Sequence, residues 1–350
     1  MRGTAMAARL AVFAVAFATA LTAADASAQG VVESVVESIV ETNLQTDVEY
    51  AVHDGVSLKG DLYSPESAGP HPALILIHGG SFRGGSKGQY GRSWGPYLAA
   101  RGYIVFAIDY RLSMPTQTTW PQALLDCKAA VQFLRGNATA LSVDPERIGV
   151  GGDSAGGTLA ALVALTQDMP AFANAYPTDA HATASTSIKV VVPIYGVYDM
   201  MSWRRYTLGT NNKGSLEQFI GGTPDEMPGA YFEASPLAYL REAATSLGAV
   251  SVPNTGTSIP WFVAWGVLDE IVPPASQSVV LVQALKDAGA DVTDIAIPNT
   301  GHLFFRGAQL TGRQGTPMCK DQSLSGLSCS GPTPNDYIES QFLEFLRRGL

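Results

Sequence analysis

The chain has 350 residues, 46% of them hydrophobic, and a formal net charge of −9 at pH 7. That is length and apolar content for one large core, or at most two domains. An acidic chain with pI near 5.0 repels phosphate backbones and anionic lipid, so nucleic-acid and membrane-surface partners are not expected and neutral substrates are.

Arg2 and Arg9 make a positive start, Leu10–Leu21 an apolar run, and Ala26-Ser-Ala28 an A-x-A cleavage site. The pattern predicts a signal peptide over residues 1–28, too short and wrongly flanked for a membrane span, and so a soluble, secreted or periplasmic protein. Residues 29–46, with a Val-Val-Glu-Ser pseudo-repeat, are expected to form a linker or short helix ahead of a domain spanning 47–350. From Asp47 to Tyr63 polar and apolar residues alternate around Asp54-Gly55, a hairpin signal. Ala73–Ile77 and Tyr103–Ile108 are continuous apolar runs, as in strands buried on both faces. A helix near Ser93–Arg101 separates them, and another covers Trp120–Leu134, where Cys127 reads as core with no histidine at metal-ligand spacing.

Ile148–Val150 predicts a strand that turns on glycines into a helix running to about Gln167. Further strands are expected at Ile188–Ile194, Ile259–Trp265 and Val292–Ile297, with helices at Ser276–Ala288 and Tyr337–Arg348. Alternating elements of this kind make a doubly wound, mostly parallel α/β sheet of about eight strands. Residues 199–258 are too long and irregular for a plain connection and are expected to form a small helical cap. Residues 303–335 are predicted to be a loop closed by a Cys319–Cys329 disulfide.

The strand-to-helix turn holds Gly152-Asp-Ser-Ala-Gly156, a G-x-S-x-G nucleophile elbow in which the glycines let Ser154 project from a strained position. On its own the pentapeptide fits a phosphate-binding turn equally well. A serine nucleophile needs a base and the base an orienting acid, in the chain order Ser, Asp or Glu, His. Of five histidines, only His181 and His302 follow Ser154. His181 sits in a polar connection, whereas His302 follows the last predicted strand and is the better base. Asp269 follows the Trp261–Gly266 run and is the first choice of acid, with Glu270 and Asp199 as rivals. The glycine-rich run His78-Gly-Gly-Ser-Phe-Arg-Gly-Gly85 after a buried strand would supply amide donors for an oxyanion from Gly80 and Ser81, joined by Ala155. It lacks the G-K-[ST] ending of a P-loop. Phe82, Leu303 and Phe304 are expected to line the substrate pocket. No metal or organic cofactor is called for.

The Gly151-Gly-Asp-Ser-Ala-Gly-Gly157 elbow, the His78-Gly-Gly loop and the Asp109-Tyr-Arg-Leu112 segment resemble the α/β-hydrolase superfamily. The nearest branch holds hormone-sensitive-lipase-like carboxylesterases and bifunctional feruloyl/acetylxylan esterases. Phe219-Ile-Gly-Gly-Thr-Pro-Asp225, Glu233-Ala-Ser-Pro-Leu237 and Val272-Pro273 look closer to the second group. Carried over position by position along roughly residues 48–305, the resemblance implies Ser154 as nucleophile, Asp269 as acid, His302 as base and Gly80, Ser81 and Ala155 as donors. It also implies hydrolysis of carboxylic esters, short-chain or aryl/acetyl, through an acyl-enzyme. Ser81 departs from the third glycine of the lipase-like loop, and the insertion after His302 is longer than the family pattern. A polymer-active esterase on plant cell-wall esters or polyesters, a serine peptidase of the same fold and a non-catalytic binding protein are the alternatives. The sequence leaves acyl chain length and oligomeric state open.

Overall fold

A computed structural model of the protein describes residues 42–90, 93–172, 175–240, 256–305 and 334–350. The strands are β1 (Thr42–His53), β2 (Val56–Pro65), β3 (His71–Ile77), β4 (Ile104–Ile108), β5 (Val143–Asp153), β6 (Val191–Ile194), β7 (Trp261–Gly266) and β8 (Val292–Ile297). They form one eight-stranded sheet in the order β1-β2-β4-β3-β5-β6-β7-β8. β1 and β2 pair antiparallel through the Asp54-Gly55 turn, whose two residues have φ of 51° and 81°. Such a turn matches the twist of the strands it joins. β2 meets β4 antiparallel, and every later pairing is parallel.

Burial follows position in the sheet. All five residues of β4 and all six of β7 are buried, because helices cover both faces of a parallel sheet. β1 lies at the edge and is mostly exposed over its first half. Its first residues correct an expectation: Asn43, Leu44 and Gln45, placed in the predicted linker 29–46, pair with Ser64, Tyr63 and Leu62. Backbone pairing to a β2 segment rooted in the core holds them, so no apolar periodicity of their own marks the strand. Residues 1–41, including the predicted signal peptide, lie outside the described residues, as do Cys319 and Cys329.

The order in which strands are added to the sheet reverses beside β3. The connection from β3 runs by α1 (Trp94–Ala99) to β4 on one side, while β4 crosses by α2 (Gln122–Gly136) to β5 on the other. The connections leaving the carboxyl ends of β3 and β5 therefore diverge at a topological switch point, the usual place for a binding crevice. α3 (Ala155–Thr166) follows β5, and all twelve of its residues are buried. A helix apolar on every side needs cover on every side, and α2, β6 and the Pro236–Leu240 turn provide it. At its far end Lys128 of α2 donates to the Thr166 and Gln167 carbonyls, groups that a helix terminus leaves without intrahelical donors.

The described part of the expected cap is helical: α4 (Met200–Thr207), α5 (Ser215–Ile220) and α6 (Pro228–Glu233). Gln277, ahead of α7 (Ser278–Asp287), accepts from the Tyr198 and Asp199 amides at 2.7 and 2.9 Å and pins the start of the cap. α8 (Pro334–Gly349) closes the chain against β8. Cys127 is buried, and burial pushes its thiol pKa well up. Among the described residues no helix is long and apolar enough to cross a membrane, and no His/Cys/Asp/Glu group has metal-site geometry.

Candidate active site

Ser154 stands between β5 and α3 with φ 54° and ψ −119°, a conformation that L-residues rarely adopt. The crowding that produces it is measurable at Gly156. A Cβ there would lie 1.9 Å from the Ile77 carbonyl oxygen, so the elbow closes on the end of β3 only with glycine. The Ser154 amide is tied to the Ile194 carbonyl at 2.9 Å, which fixes the turn to β6 and leaves the hydroxyl projecting.

The imidazole of His302 meets that hydroxyl, with Nε2 3.0 Å from Ser154 Oγ. Its Nδ1 lies 2.6 Å from Asp269 Oδ2. The other carboxylate oxygen accepts the Ile271 and Val272 amides at 2.9 and 2.8 Å, so Asp269 has one orientation. The loops that carry the two residues are joined by the Leu268 amide on the Thr300 carbonyl at 2.8 Å. Asp269 and His302 are each 5% exposed and Ser154 7%. Three side chains separated by 115 and 33 positions in sequence thus form one hydrogen-bonded line at the carboxyl edge of the sheet.

The rival residues take no part in this line. Glu270 is exposed, and Asp199 caps α4 by accepting the Ser202 amide at 2.9 Å. His181 bonds Asn137 at 2.9 Å. His78 is buried, stacked on Tyr110 at 4.5 Å, with Nδ1 2.8 Å from the Gly79 carbonyl. It shapes the loop after β3.

That loop doubles back on three successive positive φ angles, 134° at Gly80, 54° at Ser81 and 61° at Phe82. The Gly80 carbonyl accepts both the Arg83 and Gly84 amides, and a Cβ on Gly80 would lie 1.9 Å from the Gly84 oxygen. The Gly79 amide is taken by the Asp153 carboxylate at 2.9 Å. Among the described residues, the amides of Gly80 and Ser81 and that of Ala155, the first residue of α3, donate to no protein acceptor. They are the donors left over at the switch point.

The predicted pocket wall needs correction at two positions. Phe82 is fully buried and stacked on Phe219 of α5, centroids 3.9 Å apart and planes 9° apart, so it bonds the loop to the cap and presents no surface. Phe304 is 3% exposed and packs edge-on against Tyr195 at 4.8 Å. Both rings went into the core because each found an aromatic partner across a loop. Leu303 is half-buried, with φ 69°. Tyr195, Tyr90 and the side chain of Asp153 are residues that sequence reasoning missed, and only the elbow position of Asp153 offered a signal.

A doubly wound sheet whose switch point carries a serine elbow, with an aspartate after its seventh strand and a histidine after its eighth, is the α/β-hydrolase fold. Within that fold the chain belongs to the BD-FAE family, whose model matches residues 60–285. It is 31% identical over 244 residues to esterase LipQ of Mycobacterium tuberculosis, a match covering 69% of this chain and 52% of that protein. To the ethyl acetate hydrolase of Pseudomonas putida it is 29% identical over 266 residues, covering 72% of this chain and 73% of that one. The chain spans about half the length of LipQ and of esterase LipC, also of Mycobacterium tuberculosis. Among solved structures, a truncated carbohydrate esterase from gut microbiota is similar with a TM-score of 0.61 and 25% identity, over 76% of this chain and 90% of that one. Thermogutta terrifontis esterase 2 shares the fold with a TM-score of 0.61 at 22% identity, over 89% and 93%.

Proposed function

We propose that the protein is a serine carboxylesterase working through an acyl-enzyme intermediate. The observation that carries the reading is the line Asp269 Oδ2, His302 Nδ1, His302 Nε2, Ser154 Oγ, with separations of 2.6 and 3.0 Å at its two hydrogen bonds. Ser154 attacks the ester carbonyl as Nε2 takes its proton, and the imidazolium then protonates the leaving alkoxide. Asp269 fixes the tautomer that leaves Nε2 as acceptor and stabilises the imidazolium. The amides of Gly80, Ser81 and Ala155 donate to the oxyanion, and water releases the acid by the same path in reverse. The naming of its relatives as esterases supports the reaction class.

Short acyl groups suit a serine that is only 7% exposed, and acetyl or aryl esters, free or on a polymer, form the proposed substrate class. Export is part of the proposal on the strength of residues 1–28 and is checked by whether the mature protein begins near Gln29 with Cys319 and Cys329 joined. The test of the chemistry is a panel of acetyl, butyryl, octanoyl and feruloyl esters, run beside amide substrates and fluorophosphonate labelling. Ester turnover with stoichiometric label on Ser154 is expected. Absence of label would leave a binding protein, and preference for amides a peptidase.

A further inference from the structure

We propose that Tyr195 is a positioning residue for His302, acting through its hydroxyl and anchored on the carboxylate of Asp153. The inference rests on the serine-esterase reading above. Tyr195 is the first residue beyond β6 and takes φ 37°, a left-handed conformation that a bulky side chain rarely adopts without a reason elsewhere. Its amide still holds the Ala264 carbonyl at 2.9 Å, so the strand register continues while the side chain swings under the histidine loop. The ring is fully buried and lies 4.5 Å from the His302 ring, tilted by 54°.

The hydroxyl is bonded on two sides. It lies 3.4 Å from Asp153 Oδ2 and accepts the Phe305 amide at 3.2 Å. Phe305 is three residues beyond His302 and belongs to the same loop. The Asp153 carboxylate, 0% exposed, sits directly before Ser154; its Oδ1 accepts the Gly79 amide at 2.9 Å and lies 2.8 Å from the Tyr90 hydroxyl. A buried carboxylate needs donors, and here they come from the loops that carry the site. One of its oxygens holds the loop presenting Gly80 and Ser81. The other, through Tyr195, reaches the loop presenting His302. The elbow, the donor loop and the base loop thus share a single carboxylate behind the serine. Neither Tyr195 Oη nor Asp153 bonds Ser154 Oγ or the imidazole nitrogens in these contacts, so both act through other groups.

Displacing a catalytic group by about an ångström can cost about a hundredfold in rate, and releasing one of the ties on the His302 loop should cost about tenfold. Tyr195→Phe keeps the ring against His302 and removes only the hydroxyl. The measurement is kcat and KM on p-nitrophenyl butyrate with the full chain, normalised to sites titrated by a fluorophosphonate so that misfolded protein is not counted. The expected result is kcat down about tenfold with KM within about twofold. An unchanged kcat, or a raised KM at unchanged kcat, overturns the positioning role. In an Asp153→Asn background the same Tyr195→Phe change should cost less than about threefold, because coupled residues are not additive; an undiminished tenfold loss there overturns the anchoring on Asp153. Ser154→Ala is run alongside. If it retains turnover the esterase reading itself fails, whereas an inactive Ser154→Ala with wild-type Tyr195→Phe sinks only this inference.

Discussion

Two buried histidines in this protein are each held at Nδ1 by a buried aspartate, His302 by Asp269 at 2.6 Å and His53 by Asp126 at 2.7 Å. They differ at Nε2. His302 faces the Ser154 hydroxyl at 3.0 Å, whereas His53 faces a second carboxylate, Asp179, at 2.8 Å. A carboxylate only accepts, so both nitrogens of His53 must donate and the ring is held as imidazolium. Burial by itself pushes the His53 pKa down, but the hydrogen bonds and charges of Asp126 and Asp179 outweigh it and the net shift is upward. Arg111 adds a second cation, at 2.6 Å from Asp126 Oδ1 and 2.5 Å from Asp54, and Tyr176 stacks on His53 at 3.6 Å. The result is a fixed ionic clamp that joins the β1–β2 turn, α2 and the segment bearing Tyr176 and Asp179. His302 Nε2 instead meets a hydroxyl, which can both donate and accept. What separates a base from a clamp is the third group, not the His–Asp pair.

The sharpest way to break this contrast is to remove the hydroxyl. Ser154→Ala is expected to lower kcat/KM by about ten-thousandfold to a millionfold without loss of fold, read on p-nitrophenyl acetate and by thermal melting. Asp269→Asn comes next, at about a thousand- to ten-thousandfold, because an amide in place of the carboxylate favours the tautomer with Nε2 protonated. Full activity in either variant would remove the distinction between the two histidines. His53→Gln should do the reverse: activity at 25 °C within about threefold, but stability lower by about 3 kcal/mol, since Asp126 and Asp179 lose a buried cation. The dependence on pH has a definite sign. The folded pKa of His53 is raised above the unfolded value of about 6.5, so its contribution is complete below that value and fades as pH rises through the folded pKa. The gap in Tm between wild type and His53→Gln should therefore narrow above about pH 6.5.

This contrast also marks what was legible in the sequence. Buried parallel strands are continuous apolar runs, and Ala73–Ile77, Ile259–Trp265 and Val292–Ile297 lie within about two residues of β3, β7 and β8. Ser154 was legible because a strained turn demands glycines beside it, and Asp269 and His302 because each follows a strand that ends at the same sheet edge. The clamp left no such mark: His53 and Asp126 are 73 positions apart, and neither sits in a pattern that backbone geometry imposes. Ring placement was equally hidden. Phe82 stands in the glycine loop, yet its direction was decided by Phe219, which only the folded cap brings near. Strand ends resting on backbone pairing, such as Thr42–Gln45 and the Val143 end of β5 against His71, carry no side-chain signature.

The smallest expected effect probes whether the two regions are linked through α2, which carries Asp126 of the clamp and Lys128 beneath the elbow helix. Lys128 is 2% exposed and donates to the last carbonyls of α3, at the far end from Ser154. Burial pushes its pKa down to about 7, with Asp168 pulling the other way. The unfolded chain keeps that proton up to about pH 10.4, so between the two values the unfolded state binds a proton that the native state does not, and stability gains from rising pH. Lys128→Met should leave kcat within about twofold, since a methionine of similar length fills the space and the elbow is fixed at its own end by the Ile194 carbonyl. The Tm of wild type relative to Lys128→Met should rise from about pH 7 toward pH 9.5, opposite in sign to the His53→Gln gap over the same range. Two variants of groups linked through one helix with opposite slopes would separate a cation held by carboxylates from a buried amine that gives up its proton. Parallel slopes would mean that the two sites titrate as one, and the division between clamp and elbow would have to be redrawn.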